Sequence, residues 1–170
     1  MPRLPLSLQT QLSSEMQIKY DRVTKVDSGL STTFQGLFAH PQIASGLADL
    51  DQLVGKISLE PWVTLTVALT VIHERNSGGL WDSIEPLARD AGVSDTVIDG
   101  IDKGTAPRGL LPKEGIWVHF AQEVLRDKMR DSTWQAATHL VGDDGVVALS
   151  FTVCYYDMMV RLNRTLAVDV

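Results

Sequence analysis

Apolar residues recur every three or four positions through most of the chain, and the strict alternation that marks a strand is nearly absent. Ile43, Leu47, Leu50, Val54 and Ile57 carry the helical spacing, and Pro41 suits the first position of that helix. Before it, residues 1 to 12 read as an extended arm, because Pro2 and Pro5 deny it an early helix. A first helix is expected from about Ser13 to Lys25, followed by a loop through Gly29 and Gly36. Pro61 opens a third helix that is apolar on most sides: Trp62, Val63, Leu65, Val67, Ala68, Leu69, Val71 and Ile72. Such a helix belongs at the centre of a bundle. Asn76-Ser77-Gly78-Gly79 breaks it.

The next stripe is Trp81, Ile84, Leu87, Ala88 and Ala91, ending at Gly92, and Ser94 then caps a short helix. Pro107 and Gly109 mark a loop. Pro112 starts a helix with Ile116, Trp117, Phe120, Ala121, Val124 and Leu125 inward. Ser132 with Gln135 forms a capping-box pattern for the following helix. Gly142 and Asp143-Asp144 separate that helix from a long last one reaching about Leu166. The pattern predicts one all-α domain over residues 1–170, a helical bundle without repeats or linkers.

Composition narrows the chemistry. With 44% hydrophobic and 21% charged residues in a chain of 170, a substantial core is expected. A net charge of -6 and no cluster of Lys and Arg argue against a nucleic-acid partner. No apolar run approaches the roughly 20 residues of a membrane span, and no leader pattern opens the sequence. A soluble, cytoplasmic protein without a membrane partner is expected. Cys154 is the only cysteine, which excludes an intrachain disulfide, a CxxC redox pair and a thiolate metal cluster.

The order of MPRLPL, LFAHPQIASGLADL, LTVAL, WDSIEPLARDAGVSDTVIDGI and VCYYDMMVRLNRTL resembles the carboxymuconolactone decarboxylase family, grouped with the alkylhydroperoxidase D-like proteins. The resemblance implies an alkylhydroperoxidase D-like helical bundle that assembles into homotrimers or hexamers, with its site near subunit contacts. It also implies departures. Redox members carry a CxxC pair at the end of the core helix, and the stretch from His73 to Asn76 has no cysteine. Decarboxylase members carry W-x-x-H where this chain has Trp81-Asp82-Ser83-Ile84. The family's glutamate at the start of the core helix falls on Pro61, with Glu60 one position away.

On the core helix, Thr66, Thr70 and His73 share one face with Trp62 a turn before them. A polar stripe on a buried helix needs hydrogen-bond partners, and two readings stay open. Either the threonines bond to carbonyls one turn back and His73 compensates the helix dipole, or the stripe faces a pocket. In the pocket reading His73 is the general acid/base, since histidine as a residue type titrates near 6.5. Glu60 and Glu85 can orient it or abstract a substrate proton, or be a helix-start acid and a solvated side chain. Trp81 matches the family's tryptophan and can wall a pocket; Tyr156 can place a hydroxyl there. Core packing is the leading reading of both.

His119, Glu123, Arg126 and Arg130 fall opposite the apolar stripe of their helix and read as a solvated or inter-subunit face. His40 reads as a loop residue. No H-x-x-x-H pair or Gly-rich phosphate loop exists, so neither a metal nor a nucleotide cofactor is expected. The expected function is a cofactor-free, carboxymuconolactone decarboxylase-like lyase or isomerase acting on a small cyclic or unsaturated carboxylic or phenolic metabolite. His73 and Glu60 are its candidate catalytic residues, and Trp62, Thr66, Thr70, Trp81 and Tyr156 its candidate substrate contacts. The alternatives are a noncatalytic ligand-binding or assembly protein and, more remotely, a peroxide-related oxidoreductase.

Overall fold

The computed structural model describes residues 3–25 and 29–168, so Pro2 of the arm lies outside the described residues. Those residues form a 3-10 turn, Gln9–Gln11, and eight α-helices, with no strand among them. The helices are α1 (Ser14–Thr24), α2 (Ser31–Leu37), α3 (Pro41–Lys56), α4 (Pro61–Glu74), α5 (Gly78–Asp90), α6 (Asp95–Asp102), α7 (Pro112–Leu125) and α8 (Asp131–Leu166). The chain is all-α, as the apolar periodicity predicts. It gathers into two compact units: Met1–Ile57 with Met159–Val170, and Ser58–Met158.

The first unit packs α1, α2 and α3 against one another around Tyr20, Phe34, Phe38 and Ala44, with Tyr20 edge-on to Phe38 at 5.1 Å. α2 stands where a loop is expected. Leu30, Phe34 and Phe38 repeat every four residues and are buried, so the stretch folds onto the core as a helix despite its glycine. Gly36 serves a close approach instead of a turn: a Cβ there would sit 2.8 Å from Val168 Cγ1. The arm is pinned within this unit by Arg3 N–H to the Leu166 carbonyl and Ser7 N–H to the Gln35 carbonyl, both 3.1 Å. Buried Asn163 donates from Nδ2 to Thr33 Oγ1 at 2.8 Å. His40 is the N-cap of α3, with its Nδ1 accepting from the Ile43 N–H.

In the second unit α4 packs against α5, α6 and α7, and Val67, Ala68, Leu69, Val71 and Ile72 are fully buried. Asn76, with φ 53°, closes α4; its N–H and that of Ser77 reach back to the His73 and Ile72 carbonyls. Gly92, with φ 93°, closes α5 in the same way. α6 opens as expected on Ser94, whose Oγ accepts from the Val97 N–H. α8 starts at Asp131, one residue ahead of the expected Ser132 cap. Gly142 interrupts it with φ 74° and ψ 177°, and residues 143–166 continue as the expected long helix. Among the described residues α8 alone is long and apolar enough to cross a membrane, and half of that apolar stretch is buried inside the molecule.

Candidate functional site

The ends of α4, α6 and α7 in the second unit surround a cavity of about 450 Å³. Its chemistry comes from His73 and Glu74 at the end of α4, Arg108 from the loop before α7, and His119, Gln122 and Arg126 along α7. Each is brought there by a local device. Asn76 ends α4 just after His73, leaving that side chain on the last turn. Gly104, with φ 65°, turns the chain out of α6 beside the His73 ring; a Cβ on it would lie 3.7 Å from His73 Nε2. Trp81 of α5 packs against the same ring, centroids 6.2 Å apart and planes inclined by 66°.

Charges around the cavity are mostly paired. Glu74 accepts from Gln122 Nε2 at 2.9 Å and from Arg126 Nη2 at 3.0 Å. Arg108 is exposed and takes part in no ion pair among the described residues. The carboxylate behind His119 is Glu123, only 8% exposed, which corrects the expectation of a solvated or inter-subunit face for that residue, whereas Arg126 and Arg130 are exposed. The reason is tertiary: the α7–α8 connection folds back over it. Arg130 donates its backbone N–H at 2.9 Å and its Nε at 2.6 Å, and Thr133 its hydroxyl at 3.1 Å. His119 Nε2 stands 2.8 Å from Glu123 Oε1 and also contacts Arg130 Nη2. Burial pushes the Glu123 carboxyl up, but the Arg130 and Thr133 hydrogen bonds and the nearby His119 outweigh it and hold the carboxyl below the ordinary 4.5. Both contacts fall on Nε2, one with an acceptor and one with a donor, and they leave Nδ1 as the other ring nitrogen.

The expected site residues divide. His73 and Thr70 line this cavity, but the Thr70 hydroxyl donates to the Thr66 carbonyl at 2.8 Å and that of Thr66 to the Trp62 carbonyl at 2.7 Å. Both hydroxyls are therefore satisfied within α4, as the first of the two readings has it. Glu60 and Trp62 lie at the opposite end of α4, where the Glu60 carboxylate accepts the Trp62 indole N–H. Thirteen residues of helix put Glu60 about 20 Å from His73, so it cannot orient that ring. Glu85 is tied to Arg89 at 2.8 Å on the surface of α5. Tyr156 is buried edge-on to Tyr155, centroids 5.4 Å apart, and is not part of the cavity wall. No group of three metal-ligating side chains occurs among the described residues.

His119 and its carboxylate are what the sequence reading passes over. The signal for them is the His119/Glu123 spacing of four on α7, the spacing at which two side chains meet. Comparison with protein-family models, curated proteins and solved structures finds no match for this chain.

Proposed function

We propose that this protein is a cofactor-free acid/base enzyme that isomerises or cleaves a small cyclic or unsaturated carboxylic or phenolic compound by proton transfer. The observation that carries the reading is the convergence of His73 and His119 on one cavity, with the carboxylate of Glu123 behind one of them. Arg108 anchors the substrate's carboxylate or phenolate, since the charge of Arg126 is already met by Glu74. In the tautomer whose Nε2–H donates to Glu123, His119 Nδ1 takes a proton from a substrate carbon made acidic by an adjacent carbonyl. His73 returns a proton at a second position, giving an isomer, or protonates a leaving group, giving a cleavage product. This keeps the chemistry implied by the resemblance to carboxymuconolactone decarboxylases and moves its base from the missing W-x-x-H histidine to His119. Arrangement as a homotrimer or hexamer is part of the same proposal.

The test is incubation in D2O with a panel of small cyclic and unsaturated carboxylic acids and phenols, read by mass spectrometry. Deuterium uptake or conversion is expected for the wild type, with a loss of about 100-fold or more in His73→Ala and in His119→Ala. Uptake at the wild-type rate in both variants overturns the reading. Saturable binding in the cavity without uptake favours a ligand-binding protein instead.

A further inference from the structure

Beyond Gly142, α8 is apolar on two sides. Val146, Leu149, Val153 and Tyr156 are buried, as one face of a bundle helix should be. A second stripe looks outward and consists of Asp144, Val147, Phe151, Cys154, Met158 and Arg161. Val147 is 64% exposed, Asp144, Cys154 and Arg161 are exposed, and Phe151 and Met158 are half-buried. Four apolar side chains in a row on the outside of one helix mark a surface made to be covered.

The pattern of the stripe says what covers it. Its steps are three, four, three, four and three residues. That is the a and d seam of a heptad pattern, by which one helix packs lengthwise on another. The spacing reads the same from either end, so the stripe fits a second copy of itself running the opposite way. About a two-fold axis midway between Phe151 and Cys154, Val147 meets Met158 of the second copy, Phe151 meets Cys154, and Asp144 meets Arg161. Apolar layers then fill the middle and opposite charges close both ends. A parallel pairing would instead set Asp144 on Asp144 and Arg161 on Arg161, like on like.

We propose that α8 of one molecule packs antiparallel on α8 of a second along this stripe, a two-fold contact between copies of the chain. It uses neither histidine and is independent of the acid/base chemistry. It also requires more than a trimer or hexamer in general, because a two-fold contact demands an even multiple of 18.7 kDa.

The test is light scattering on the full-length protein at micromolar concentration, with charge reversals at the ends of the stripe. Asp144→Arg and Arg161→Asp each replace two attractions by two repulsions. Each is expected to weaken the contact about tenfold or more and to halve the mass on dilution. The double variant pairs the reversed charges again and regains the wild-type mass. Val147→Glu, in an apolar layer, halves the mass as the single reversals do. Circular dichroism checks that the variants keep their helices; if Arg161→Asp does not, Asp144→Arg and Val147→Glu still decide. A wild-type hexamer supports both this contact and the assembly proposed above, and a dimer supports this contact alone. A trimer keeps that assembly and overturns this contact, and a monomer overturns both. Single reversals that leave the mass unchanged, or a double variant no stronger than either single one, also overturn it.

Discussion

Glu123 shows how a single side chain can be misjudged by position and explained by its partners. On the helical wheel it lies off the apolar stripe, about 60° from Phe120 and well away from Ala121, yet Arg130 and Thr133, seven and ten residues on, close over it. Periodicity cannot register a partner that arrives across a turn. Because its carboxyl is held below 4.5, the stabilisation it supplies is complete above that value and is lost as pH falls through the lower, folded-state value. Glu123→Gln should therefore cost on the order of 2 kcal/mol at pH 7 in urea unfolding, a gap that narrows below pH 4. Thr66 gives the opposite lesson, because its polarity is legible in the sequence but its use is not. Its hydroxyl is answered one turn back, so Thr66→Val should change stability by less than about 1 kcal/mol.

At the scale of the elements, proline and apolar spacing did most of the specifying. Pro41, Pro61 and Pro112 each stand at the start of a helix, and Ser94 caps another. What escaped was α2, where Gly36 resembles a turn residue but is buried to let Val168 approach. Its meaning depends on a neighbour far along the chain. Gly142 is legible as a break, because only glycine is at ease with φ 74° and ψ 177°. Gly142→Ala should lower stability by about 1–3 kcal/mol, read from the unfolding midpoint by circular dichroism. The candidate site follows the same division: His73 and Thr70 announce themselves along α4, whereas Arg108 reaches the cavity only because the chain turns out of α6 at Gly104.

For the molecule as a whole, the all-α class was legible because helical spacing runs through nearly every segment, whereas assembly is not legible until the outward face of α8 is known. The proposed trimer or hexamer predicts a light-scattering mass of three or six times 18.7 kDa, and a monomer at micromolar concentration would remove that part of the reading. The fully buried run from Val67 to Ile72 offers a different kind of measurement. Its amides reach solvent only when the second unit opens throughout, so their deuterium exchange is a gauge of that unit's total stability. Any compound that favours the closed form must slow them, about elevenfold when present at ten times its Kd. Cavities of about 450 and 490 Å³ lie at the two ends of this helix, the first beside His73 and the second beside Trp62. One stretch of backbone can thus serve as an internal clock for screening unknown ligands, whichever cavity they enter.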